Sequence, residues 1–172
     1  MIRSLDASQA TRALESLADL LIDAVDGGAS IGFIPPLERE EATAYWRTVM
    51  DSIAGGTRVL LVSEEDGPGL IQGSVQLSLE TRANGDHRAE VAKLFVHRRA
   101  RRRGVATALM GKAEATARQL GRTLLLADTR KGGEAERLCE KLGWTRFGEV
   151  PRYARSSNGE LDPTVFYYKQ LD

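Results

Sequence analysis

The segment HRRARRRGVATAL, residues 97–109, constrains this chain most, because it joins two patterns of different period. Before it, RAEVAKLFV (88–96) reads as a strand. After it, Val105, Leu109, Ala113, Ala117 and Leu120 recur at spacings of three and four, which marks one buried helix face. Gly121 stands at the C′ position of that helix, and a short apolar strand, TLLLAD (123–128), follows. Strand 88–96, helix 104–120 and strand 123–128 therefore form a βαβ unit. Its crossover is right-handed, so the two strands are parallel neighbours or near neighbours.

The rest of the chain fits around that unit. A short opening strand is expected at 2–5. Residues 6–26 form a helix with Leu14, Leu17, Leu21 and Val25 on one face and Asp6 or Ser8 as its cap, and residues 37–54 form a second. Gly27-Gly28 and Gly55-Gly56 close them, and an apolar loop, ASIGFIPP, lies between. Strands 58–65, 70–80 and 88–96 are linked by tight turns at DGPG (66–69) and ANGD (83–86), which predicts an antiparallel meander. After the βαβ unit come a helix at 134–142 ended by Gly143, a strand at 144–150, a polar loop, and a last strand at 164–171. The expectation is one α/β domain spanning 1–172, with four helices and a mixed, mostly antiparallel sheet of about seven strands.

Five of the six residues 98–103 are arginine, and three readings compete for them. They form a solvated face, a patch for nucleic acid, or part of a seat for a small anionic ligand. The chain carries 24 Lys and Arg against 24 Asp and Glu, so its formal charge is zero, and no whole-surface affinity for nucleic acid or an anionic membrane is built in. The arginines open into Gly104-Val105-Ala106, where small residues let helix N-terminal amides close around a phosphate and the helix dipole favours its charge. Strand, arginine loop and Gly-initiated helix together point to a bound diphosphate.

Other chemistry is narrowed by what is scarce. Cys139 is the only cysteine, so no intramolecular disulfide forms. With His87 and His97 the only histidines, a catalytic zinc set would need carboxylates, and no metal is expected. No secretory signal or membrane span is readable, and the expectation is a cytoplasmic protein.

Arg101-x-x-Gly104-x-Ala106, at this strand-to-helix junction, resembles the acetyl-CoA motif Arg/Gln-x-x-Gly-x-Gly/Ala of the GNAT superfamily of N-acetyltransferases. The element order is similar to that fold over essentially the whole chain. The segments GGASIGF (27–33), QLSL (76–79), RAEVAKLFV (88–96), ADTRKG (127–132), TRFGEVP (145–151) and DPTVFYYKQL (162–171) look like the tabtoxin-resistance acetyltransferases of that superfamily. The resemblance implies transfer of an acetyl group from acetyl-CoA to a primary amine of a small molecule, and a sheet splayed between its fourth and fifth strands. By the same analogy, the backbone of Leu94, Phe95 and Val96 pairs with the pantetheine arm. Arg101, Arg102, Arg103, Gly104, Val105, Ala106 and Thr107 hold the pyrophosphate.

An amine attacks only as the free base, so a proton must leave it. Glu90, in the fourth strand, and Asp128, at the end of the fifth, can face the cleft from opposite sides; equally, Glu90 can pair with an arginine and Asp128 can cap the following loop. Family members supply the departing thiolate with a proton from a tyrosine that falls here on Cys139. That leaves Cys139 as the acid, one of Tyr153, Tyr167 and Tyr168 or water in its place, an unassisted thiolate, or Cys139 as a small buried hydrophobe. Ser30 and Phe33 in the first apolar loop, and Tyr153 with Arg155 after the sixth strand, are the expected acceptor contacts. A CoA-binding regulatory domain without turnover is the alternative function. Dimers are common in the family, which leaves a homodimer open.

Overall fold

The computed structural model describes residues 1–65 and 70–171, so the turn expected at 66–69 lies outside the described residues. In chain order the elements are β1 (Ile2–Leu5), α1 (Ala7–Arg12), α2 (Leu14–Asp26), α3 (Arg39–Ala54), β2 (Arg58–Glu64), β3 (Ile71–Leu79) and β4 (Arg88–Val96). Then follow α4 (Val105–Gln119), β5 (Leu124–Arg130), α5 (Glu134–Lys141), β6 (Thr145–Arg155) and β7 (Leu161–Gln170). Seven strands form one sheet in the order β1-β2-β3-β4-β5-β7-β6. Every neighbouring pair is antiparallel except β4–β5, the parallel pair that the βαβ reading requires.

Two expectations are corrected. Among the described residues there are five α-helices rather than four, because the stretch read as a single helix breaks at Ala13. Asp6 caps α1 through a reciprocal box with Gln9, and the Ala13 amide is shared between the carbonyls of Gln9 and Ala10, which tightens the last turn. The bend lets α1 lie on α3 while α2 follows the sheet. The sixth strand also runs to Arg155, past Pro151 where it was expected to stop. It lies at the sheet's edge, where a proline costs no ladder hydrogen bond, and the ladder to β7 resumes at Ala154 and Arg155 after an irregularity that includes Arg152 at φ 55°.

Helices cover both faces of the sheet. On one face, α2 and α3 bury Leu17, Leu20, Leu21, Trp46 and Val49 against Leu60, Val62 and Phe95. Fully burying each of these large side chains contributes roughly 1.5–3 kcal/mol. Trp46 also donates its indole N–H to the Leu17 carbonyl at 2.8 Å, which ties α3 to α2. On the other face, α4 and α5 bury Leu109, Met110, Ala113 and Cys139 against Leu61, Val75, Leu77, Val91 and Leu125. Gly73 sets how closely α4 approaches β3: a Cβ there would stand 3.0 Å from Val105 Cγ1 and 3.1 Å from Leu109 Cδ1. The far end of α4 is fixed by Lys169 of β7, whose ammonium donates to both oxygens of buried Glu114, at 2.8 and 2.9 Å, and to the Leu142 carbonyl. These contacts aim the N-terminus of α4 at the middle of the sheet.

Candidate active site

β4 and β5 pair at only three positions: Arg88 with Leu124, Ala89 with Leu125, and Glu90 with Leu126. β4 then continues to Val96 and β5 to Arg130, but no ladder joins them there. The backbone edge of Leu94, Phe95 and Val96 that faces β5 is left without a strand partner, while the opposite edge stays paired to β3. Unpaired strand edges accept an extended ligand as an added strand, so the amides of 94–96 suit a pantetheine arm.

A bulge re-aims the side chains at the mouth of this opening. The β3–β4 register slips between Ser74 and Gln76, and Lys93 takes φ 55°, a left-handed conformation that few residues other than glycine adopt. Side chains alternate across a strand, yet Val91, Leu94 and Val96 all pack toward α4 and α5, while Phe95 packs toward α2 and α3. Lys93 is the extra residue that makes this possible.

The loop from His97 to Gly104 turns the chain into α4. Gly104 sits at φ 81° as the helix's N-cap, makes no side-chain cap, and would place a Cβ in open space with no atom within 4 Å. The first intrahelical bond runs from Ala108 N–H to the Gly104 carbonyl, so the amides of Gly104, Val105, Ala106 and Thr107 have no intrahelical acceptor. Four orphan amides at the start of a fifteen-residue helix, under a residue with no side chain, match what a diphosphate requires.

The arginines divide into two groups. Arg98 donates from its backbone and its Nε to Asp23 of α2, at 2.8 and 2.9 Å, and Arg101 donates from Nε to the Val96 carbonyl at 3.3 Å. Those two hold the loop in shape, and Arg99 joins them through an ion pair with Glu65 at 3.9 Å. Arg102 and Arg103 are exposed, with no side-chain partner among the described residues, and stand beside the orphan amides as loose cationic arms. An arginine patch of which three members are tied to its own chain offers little for a duplex backbone.

The acids lie where the strands part. Glu90 is the last residue of β4 paired to β5, and Asp128 follows its partner Leu126 by two, so both point to the α2/α3 face. Burial raises the Glu90 carboxyl above its ordinary value, and the Asp128 charge adds to this while Arg58 and Lys93 oppose it. Burial by surrounding atoms raises Asp128 likewise, with Lys93 opposing, even though both Glu90 and Asp128 keep part of their surface open to solvent. Lys93, in turn, is pushed down by burial. A row of register partners crosses the sheet here, Arg58, Ser78, Glu90, Leu126 and Tyr168. One step along, Asp128 stands opposite Phe166 of β7.

A cavity of about 220 Å³ opens on the same side, lined on one wall by Gly28, Ser30 and Phe33 and on the other by Arg130, Arg155, Ser156 and Ser157. The structure thus brings Ser30 and Phe33 into one wall. Tyr153 does not line the cavity; it is 53% exposed and meets Phe166, the register partner of Asp128, edge-on at 5.5 Å.

Cys139 is 6% exposed and belongs to the core cluster beneath α5. Burial, with the Glu136 and Glu140 charges, pushes its thiol up to about 11. Such a donor passes a proton to a thiolate of ordinary basicity, about 8.5, only uphill, so the packing role is the one this placement favours. Tyr167, which packs in the same cluster, is pushed up to about 12 by burial and the same two glutamates, and its hydroxyl faces both.

Lys93, Arg58 and Arg130 belong to the site's surroundings but were not singled out in the sequence, whereas Arg155 was named there with Tyr153 and does line the cavity. For Lys93 the signal existed: in VAKLFV, apolar residues at 91, 94 and 96 break strict alternation, as a bulge does.

Residues 20–144 match the acetyltransferase (GNAT) family. Among solved structures, a ribosomal-protein-alanine N-acetyltransferase from Brucella melitensis is 20% identical, with 99% of each chain covered and a TM-score of 0.80. An acetyltransferase from Salmonella typhimurium, solved with its cofactor acetyl-CoA, is 21% identical; 100% of this chain and 94% of that one are covered, with a TM-score of 0.77. A protein described as a phosphinothricin N-acetyltransferase is 20% identical over 100% of this chain and 98% of its own, with a TM-score of 0.79.

Proposed function

The chain belongs to the GNAT acetyltransferase family, whose acyl donor is acetyl-CoA, and from that premise we propose that it acetylates the primary amine of a small molecule that also carries an anionic group. The observation that carries the proposal is the end of β4–β5 pairing at Glu90 and Leu126, with two raised carboxyls at the opening. When bound, acetyl-CoA supplies the electrophilic thioester carbonyl.

The chain's own residues do the rest. Gly104 to Thr107 offer amides to the pyrophosphate, with Arg102 and Arg103 beside them. The free edge of 94–96 aligns the pantetheine arm, and an amide there polarises the thioester carbonyl as oxyanion-type donors do. Glu90 and Asp128 receive the ammonium proton, directly or through water, and their raised carboxyls suit that task near neutral pH better than ordinary ones. Holding amine and thioester in one cleft can lower the barrier by up to roughly 7–11 kcal/mol. Cys139 keeps a packing role, and the thiolate takes its proton from solvent.

Two features support the acceptor class. The cavity's 220 Å³ suits a small molecule rather than a folded surface. Arg130, two residues beyond Asp128 on the same strand face, puts a guanidinium about one strand repeat from the acid that receives the amine's proton, and Arg155 lines the same cavity; Asp162 at 3.8 Å and the Gly159 carbonyl each engage one nitrogen of these guanidiniums, and their other donors suit the carboxylate of an amino-acid-like acceptor.

A thiol-release assay tests this with a panel of α-amino acids, phosphinothricin, amino-lactams, polyamines, aminoglycosides and a peptide with N-terminal alanine. Turnover of acidic amino-acid-like amines is expected. Preference for polyamines or the peptide would overturn the acceptor class, and saturable acetyl-CoA binding with no turnover of any amine would overturn catalysis in favour of a CoA-binding regulatory domain.

A further inference from the structure

We propose that Lys93 is a positioning residue that staples the loop of residues 28–35 to the β4 bulge and so holds Phe33 in the wall of the amine cavity; this rests on the reading of that cavity as the acceptor site. Its ammonium donates to the Ile31 carbonyl, sixty-two residues away in sequence, and lies 5.9 Å from the centroid of the Phe33 ring. The loop is shaped to receive it. Gly32, at φ 91°, would carry a Cβ 3.0 Å from Lys93 Nζ, so a side chain at 32 would crowd the ammonium.

Apolar packing of Ala29, Ile31 and Phe33 against the α2/α3 core also anchors this loop, but few other polar contacts hold it. Its first residues are tied to α2 by the amides of Gly28 and Ala29, and Phe33 meets Tyr45 edge-on at 5.2 Å. From residue 30 to residue 35, the Lys93–Ile31 hydrogen bond is the one polar tie among the described residues. The lysine reaches it because the bulge lifts position 93 out of the strand's alternation. The charged groups around the ammonium are Glu90 of β4, Asp128 of β5 and Arg58 of β2. The two carboxylates oppose the lowering of Lys93 by burial and by Arg58, and the same lysine opposes the rise of both. One side chain therefore links the acceptor wall to the acids that receive the amine's proton.

Lys93→Met and Lys93→Arg test the staple by native-state proteolysis with thermolysin, which cuts before large apolar residues and so reads exposure of Ile31 and Phe33. Both replacements keep a side chain at the left-handed position, so the backbone cost is common to all three proteins and the cation is the difference. Loss of one hydrogen bond predicts that Lys93→Met is cut within 28–35 roughly fivefold faster than the native chain. Lys93→Arg is expected to stay within about twofold of native, and acetyl-CoA affinity by calorimetry to be unchanged in both. Equal loop cleavage in native and Lys93→Met protein overturns the proposal, as does Lys93→Arg cut as fast as Lys93→Met. A Lys93→Met protein cut throughout the chain rather than in this loop overturns it too. The readout needs no acceptor, so failure of the acceptor reading in the amine panel leaves this result separate.

Discussion

Glu90 and Asp128 face the same side of the sheet from two strands that have just ceased to pair: Glu90 is the last residue of β4 matched to β5, and Asp128 stands two residues past its partner. Neither carboxyl has a side-chain ion pair within 4 Å among the described residues, and each is raised mainly by burial. A raised carboxyl costs the folded state some stability and gains basicity. The same two residues thus connect packing, pH and chemistry.

The acid limb of kcat/KM is therefore expected above the ordinary carboxylate range of about 4. Glu90→Gln and Asp128→Asn should each lower kcat by roughly 10²–10⁴-fold, the usual worth of a positioned base. A group whose folded pKa is raised contributes stability below its unfolded pKa and loses it as pH rises through the folded value. Glu90→Gln should therefore melt higher than the native protein at pH 7, with the gap closing below about pH 4. Melting curves at the two pH values, beside rates, check both signs.

Cys139 should behave as a core residue. With its thiol raised to about 11 and 6% exposed, it should resist a disulfide-exchange reagent at pH 7.5 in the native state and react promptly in denaturant. Cys139→Ala is expected to retain kcat within about threefold and to cost about 1 kcal/mol of stability. A tenfold fall in kcat, rescued by Cys139→Tyr, would make it the acid after all.

The tie between β7 and α4 should be costly to break. Lys169→Met leaves the Glu114 carboxylate buried with only the Trp144 indole N–H, at 3.2 Å. The expected loss is about 3 kcal/mol, or roughly 6–12 °C in Tm. The double variant Lys169→Met with Glu114→Leu should recover much of it, because the unpaired charge is gone; thermal unfolding of the three proteins decides.

Much of the fold was legible because local signals agreed. Strand 88–96 has the expected ends, Gly121 and Gly143 take the left-handed positions after their helices, and Asp6 caps α1. The break at Ala13 was hidden, since no glycine or proline marks it and the apolar spacing runs through. The extension of β6 past residue 150 was not readable either, since it depends on the strand's place at the sheet edge, a tertiary fact. At the site, Glu90, Asp128 and the Gly104 turn were readable because each sits at an element's end or at the parallel crossover. The cavity was not: Ser30 and Phe33 meet Arg130, Arg155 and Ser157 only through folding, across a hundred residues of chain.

The central claim is that the amides opening α4 seat the diphosphate of acetyl-CoA, and calorimetric titration of acetyl-CoA into native, Gly104→Ala and Gly104→Glu proteins tests it most directly. A Cβ at 104 meets no atom, so alanine reports only the strain of a side chain at φ 81°, while glutamate adds bulk and negative charge over the orphan amides. The account predicts saturable binding by the native chain, modest weakening by alanine, and a further loss of at least a hundredfold by glutamate. Equal affinity for the alanine and glutamate proteins would contradict it.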